Sequence, residues 1–199
     1  VSKEVQDRVV AVGKTITAAG GMVDYGARPD FDAAEAHGIF RTLLWSAMAA
    51  RTPDADFEKL LEAAGELSPD DRSGGAQMLR MQTITYHDRY TAHNKRMHLR
   101  WAWDAYFHDY DALIAPIMAT PAFEHDHSDM GKRKITIDGE ERPYWEQLFW
   151  AGMAVCSYLP STVIPTGPND AGLPIGVQII GRQYGDLETI GLAKLLEAE

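Results

Sequence analysis

The chain has 199 residues, 45% apolar and 24% charged, with a net charge of −10 from 19 Lys+Arg against 29 Asp+Glu. A chain of this length buries roughly 70% of its unfolded surface, enough for one domain with a sizeable core, while the negative balance excludes a nucleic-acid face, which needs clustered cations. No apolar run reaches the roughly 20 residues of a helical membrane span, so no membrane partner is expected, and the single cysteine, Cys156, excludes an internal disulfide and fits a reducing, cytoplasmic location.

The chain opens at Val1, without an initiator Met, and Lys3 and Glu4 stand where a signal peptide would have an apolar core. A piece cut from a longer chain is expected. Val5, Val9, Val12 and Ile16 recur at helical spacing and form one stripe, stopped by Gly20-Gly21. Met22 to Tyr25 alternates and reads as a short strand that ends before Pro29. Asp32 and Glu35 have the spacing of a capping box, and the helix they open carries Phe40, Leu43, Leu44, Ala47 and Met48. Thr52-Pro53 is another start, with Thr as N-cap and Pro at the first helical position. Phe57, Leu60, Leu61 and Ala64 follow. Ser73 reads as a helix N-cap. From there to Asp109 the apolar and aromatic residues recur mostly at three and four, which predicts one long helix, kinked or broken along its length.

The texture changes at Tyr110. Ala112 to Ala115 is a short apolar run closed by Pro116, a buried strand. Glu124 to Lys134 reads as a loop. Ile135 to Ile137 alternates and leads into Asp138-Gly139, a hairpin signal. Tyr144 to Val155 is apolar at helical spacing. Ser161 to Ile164 and Ile175 to Ile180 are strands, and Leu187 to Glu199 is a closing helix.

Pro165-Thr166-Gly167, followed by Gly172-Leu173-Pro174-Ile175-Gly176-Val177-Gln178-Ile179-Ile180-Gly181, resembles the C-terminal pattern of the amidase-signature hydrolases. Tyr110-Asp111-Ala112-Leu113-Ile114-Ala115-Pro116 is similar to an earlier strand of that family. The match is specific over 110–199 and looser over 1–109. The resemblance implies an α/β fold. It would be the C-terminal part of the amidase-signature fold, with a mixed sheet covered by helices and a mostly helical first half. The expected layout is a single domain, helical over 1–109 and carrying the sheet strands and closing helix over 110–199. One departure stands ahead of Pro160, where the family usually carries an Asn and a small residue. Here the text is Met153 to Leu159 with the bulky Tyr158, a change that bears on pocket shape and substrate.

The same resemblance implies hydrolysis of carbon–nitrogen amide bonds by a Ser-Ser-Lys mechanism. A serine hydroxyl needs an adjacent base. A lysine can serve as that base only where burial lowers its pKa. The family supplies these groups from a Gly/Ser-rich segment and an upstream lysine. Ser73-Gly74-Gly75-Ala76 is the nearest text, with one serine and no lysine in the expected place. The expected catalytic residues are therefore absent from this chain, which by itself should be inactive. An upstream amidase segment is its expected partner, a small-molecule amide its substrate in the intact enzyme, and no cofactor is expected. The alternative is a non-catalytic homologue that binds a ligand or partner. Carried over from the family, Ile117, Met118, Ala119 and Thr120 after the Pro116 strand are candidates for the substrate wall, as are Trp145, Phe149 and Trp150 ahead of the Pro160 strand. The aromatic spacing fits a core face equally. His125, His127 and Asp129 are metal-ligand types, but as neighbours on one loop they read as a solvated turn, so no metal is expected. An open sheet edge would favour self-association.

Overall fold

The computed structural model describes residues 1–128 and 132–197. The chain divides into two compact units, Val1–Asp30 with Trp101–Glu199, and Phe31–Arg100.

The Phe31–Arg100 unit is helical. Helices α2 (Ala33–Ala49), α3 (Asp54–Gly65) and α4 (Gly74–Gln82) belong to it, with the first part of α5 (Tyr86–Asp109). The Asp32 carboxylate accepts from the Glu35 amide at 2.7 Å and caps α2, as the sequence spacing predicts. The start of α3 differs by one residue from its reading: Pro53 itself is the N-cap and no side chain caps the helix. The Ser73 hydroxyl accepts from Ala76 at the start of α4. The predicted long helix is broken at Thr83–Thr85, where Thr85 starts α5 afresh. Ile39, Phe40, Leu43, Trp45, Ala76, Ala92 and Leu99 are buried in this unit, and α4 packs on both α2 and α3.

The other unit holds a three-stranded antiparallel sheet in the order β1-β5-β4, from β1 (Leu113–Pro116), β4 (Ser161–Pro168) and β5 (Pro174–Ile180). The central strand pairs on both sides: Gln178 lies opposite Ala115 of β1 and Val163 of β4. Val177, Ile179 and Ile180 are fully buried. Side chains alternate across a strand, so Ile175, Val177 and Ile179 share a face with Thr162. That face carries α7 (Asp186–Glu197), whose Thr189 hydroxyl accepts from Thr162 at 2.8 Å. Helix α1 (Lys3–Ala18) packs against β1, β5 and α7. The opposite face, with Gln178, meets α6 (Leu148–Ser157), which follows a single 3-10 turn at Tyr144–Gln147. Strand β4 runs past Pro165, the residue read as its end, because the register shifts between Pro165 and Pro168 and pairing resumes. Gly167 supplies the positive φ of +88° there. Arg8 then holds the strand end, donating to the Thr166 and Pro168 carbonyls at 2.9 and 2.6 Å.

A separate hairpin joins β2 (Lys134–Ile137) to β3 (Glu140–Pro143), with Asp138 and Gly139 both at positive φ, +50° and +86°. Two residues in that region form the tight turn predicted from Asp-Gly. The strand read over Met22 to Tyr25 is not present. Asp24 instead bends the chain, its carboxylate accepting from the Gly26 and Ala27 amides at 2.7 and 3.2 Å, and Met22 is fully exposed. Among the described residues no helix is long and apolar enough to cross a membrane.

Candidate functional site

The candidate wall residues come from two segments on the Gln178 side of the sheet. The first is the chain leaving β1. Pro116 closes that strand, and Ile117 is half-buried, its Cγ2 within 4.0 Å of the place a Cβ on Gly176 would occupy. That same Cβ would meet the Ile164 carbonyl at 3.1 Å, so glycine at 176 lets the β4 backbone and Ile117 approach β5. Met118 is exposed, Ala119 buried and Thr120 half-buried. The Thr120 Oγ1 is enclosed and has no hydrogen-bond partner among the described residues. Ala119 is tied to the start of the chain, its carbonyl accepting from the Ser2 amide at 2.8 Å.

The second segment is the 3-10 turn and the start of α6. Trp145, Phe149 and Trp150 are each half-buried. Phe149 and Trp150 meet edge to face at 5.0 Å, and Trp145 meets Tyr144 the same way at 5.6 Å. Gln147 between them is buried, and its Oε1 has no partner among the described residues.

One side chain joins the two segments. The Gln178 Nε2 donates to the Pro116 carbonyl at 2.8 Å and to the Trp150 carbonyl at 2.9 Å. Its Oε1 accepts from the Ser161 hydroxyl at 2.8 Å. Pro116 and Trp150 are thus held on either side of one amide. In the sequence Gln178 stands out only as part of a motif, with no role of its own. A signal for one is there: a polar residue inside a run of buried apolar ones must find partners.

Helix α6 ends at Tyr158, which takes the left-handed conformation, φ +59° and ψ +38°. This is the departure from the family pattern ahead of Pro160. The left-handed C-terminal position suits Gly or Asn, which meet less steric cost there than a bulky residue. Cys156, two residues earlier, is buried.

A surface hollow of about 310 Å³ lies at the loop that follows the first segment, lined by Phe123, His125, His127, Arg133 and Tyr144 among others. None of the seven wall candidates, Ile117, Met118, Ala119, Thr120, Trp145, Phe149 and Trp150, lines it. His125 and His127 stand edge to face at 6.1 Å, and Asp129 lies outside the described residues. Among the described residues no three His, Cys, Asp or Glu side chains gather as a metal site.

The family model described as Amidase matches residues 2–190. This chain belongs to the amidase family. Indoleacetamide hydrolase of Bradyrhizobium diazoefficiens is 31% identical over 105 residues, 50% of this chain and 18% of that protein. A glutamyl-tRNA(Gln) amidotransferase subunit of Halothermothrix orenii is 25% identical over 211 residues, 98% of this chain and 42% of that one. Among solved structures, an amidase superposes with a TM-score of 0.71 at 20% identity, covering all of this chain and 42% of the other. A bacterial aryl acylamidase of the amidase-signature family gives 0.69 at 21%, covering all of this chain and 40% of the other. This amidase-family chain therefore spans less than half the length of these relatives. Its fold is the helix-and-sheet arrangement of the amidase-signature structures.

Proposed function

We propose that this chain is the C-terminal part of an enzyme that hydrolyses carbon–nitrogen amide bonds, with a Ser-Ser-Lys centre supplied by preceding polypeptide. The observation that carries the reading is that all seven lysines of this amidase-family chain are exposed. A lysine can take the proton of a serine hydroxyl only where burial disfavours its charged form. None of the seven meets the burial condition.

On this reading the chain contributes scaffold and substrate wall. The aromatic pair Phe149 and Trp150, with Trp145 and the residues after Pro116, offers apolar contact to the acyl part of the substrate. The indoleacetamide hydrolase relative favours an aryl-bearing acyl group in that place.

The test compares the isolated chain with the full-length enzyme on a panel of aliphatic and aromatic amides. Turnover is expected from the full-length enzyme alone, since losing a serine nucleophile costs roughly six orders of magnitude. Amide turnover by the isolated chain, silenced by a serine-directed reagent, would refute the proposal. Trp150→Ala in the full-length enzyme is expected to raise KM for aromatic amides about tenfold over aliphatic ones. An equal effect on both would remove Trp150 from the wall.

A further inference from the structure

We propose that Gln178 is a positioning residue for the amide substrate: its single side-chain amide sets the spacing between the two segments of the substrate wall. The inference rests on the proposed function, in which the residues after Pro116 and Trp150 face the substrate.

Gln178 is 1% exposed and sits in the middle strand of the sheet, paired on both sides. Its neighbours Val177, Ile179 and Ile180 are fully buried and apolar. An apolar side chain at 178 would therefore satisfy the packing of the strand, and a buried amide is costly unless its hydrogen bonds are made. Both donors of this amide and one acceptor position of its oxygen are used. The Pro116 and Trp150 carbonyls can only accept, so they require the NH2 group. The Ser161 hydroxyl donates to the oxygen, and it is the two acceptor-only carbonyls that fix which way the amide faces.

What this amide does that an apolar residue could not is bridge two carbonyls from different segments. Among the described residues no backbone–backbone hydrogen bond joins the chain after Pro116 to the start of α6. Pro116 O marks the point where β1 leaves the sheet toward Ile117, Met118 and Thr120. Trp150 O belongs to the first turn of α6, so its position sets that of the Phe149–Trp150 pair. Gln178 itself is held by the ladder on both sides and is the fixed point of the arrangement. A misplacement of about 1 Å in a positioning element can cost as much as a hundredfold in rate, so a bridge between wall segments has leverage on substrate selection.

The experiment uses the full-length enzyme and reads kcat and KM separately for indoleacetamide and acetamide. Gln178→Met keeps the length and apolar contact and removes all three hydrogen bonds. It is expected to change the ratio of the two kcat/KM values about tenfold, with the larger share in KM for indoleacetamide. A lowered melting temperature with an unchanged ratio would show a purely structural role and overturn the proposal. If Gln178→Met does not accumulate as folded protein, Ser161→Ala is read in the same way. It leaves the amide in place and removes the hydroxyl bound to its oxygen, one of its three anchors. A ratio shifted about threefold supports the positioning role, and an unchanged ratio overturns it. Trp150→Ala run alongside separates the two claims. If it shifts the ratio and Gln178→Met does not, the positioning role alone fails. If Trp150→Ala leaves the ratio unchanged, Trp150 is not part of the wall and the positioning role, which needs it there, fails with it.

Discussion

Asp138 shows how one residue serves two structures at once. It occupies a positive-φ position at the tip of the β2–β3 hairpin, which Asp and Asn tolerate better than most residues. Its carboxylate also accepts from the Lys3 backbone amide, at 3.2 and 2.9 Å, at the start of α1. Ser2, the N-cap by position, makes no side-chain cap of its own. Asp138 thus caps a helix far from it in sequence, and its negative charge suits that helix end. Asp138→Ala is expected to destabilise the protein by about 1 kcal/mol in urea unfolding, and Asp138→Asn by less, since Asn retains an acceptor oxygen and the backbone preference. Asp24 gives a pH-dependent counterpart. Its carboxyl is held below the ordinary value, first by the Gly26 amide and then by the Tyr110 hydroxyl, which donates at 2.9 Å. A lowered folded-state pKa contributes stability above the unfolded value, near 4, and that contribution is lost as pH falls through the folded value. Asp24→Asn should therefore flatten the acid limb of stability against pH below about 4, leaving the neutral-to-mildly-acidic range unchanged in slope. The Tyr110 hydroxyl is raised by the same bond, so its contribution is present below about 10 and declines as pH rises past that, a trend that Tyr110→Phe should remove.

At the scale of elements, the break between α4 and α5 turns on Thr85. Its hydroxyl accepts from the Asp88 amide at 3.1 Å and donates to the Asp88 carboxylate at 2.7 Å. Thr85→Ala is expected to cost about 1 kcal/mol and to shorten α5 at its start, visible as faster amide exchange over the first turn. The periodicity over 73–109 is legible, and so is a break, but its position is not, because a Thr-Ile-Thr run interrupts no apolar stripe. Single caps and glycine turns carry over well: Asp32, Ser73 and Asp138-Gly139 act as predicted, while the Glu35 carboxylate pairs with Lys95 and leaves the capping box half made. Thr52, read as an N-cap, is not one, and at Met22 to Tyr25 alternation alone predicts a strand that is absent. Alternation describes a strand only when a partner strand lies beside it, and Asp24 turns the chain there instead. The closing order of strand, loop, strand and helix is legible too, yet the bridging amide of Gln178 is not. Its partners are the carbonyls of Pro116 and Trp150, and sequence spacing says nothing about which carbonyls a fold brings to a buried amide.

For the molecule as a whole, the flank of β4 that no strand pairs among the described residues matters most. Val163 is 51% exposed on that edge strand, and Leu187 and Leu195 of α7 are 83% and 68% exposed. An unpaired edge beside apolar surface promotes association. The isolated chain is therefore expected to self-associate in light scattering, and Val163→Lys to shift it toward monomer; a clean, stable monomer from the unsubstituted chain would count against this. The strand order has a consequence for biosynthesis. Among the described residues the sheet's middle strand follows both of its neighbours in the chain, so β1 and β4 are synthesised before residues 174–180, the partner they share. Residues 31–100, being contiguous, carry no such delay. A nascent chain stalled before Pro174 should thus protect its helical portion from protease while leaving Leu113–Pro116 and Ser161–Pro168 cleavable, and release of the remaining residues should close that window in a single step.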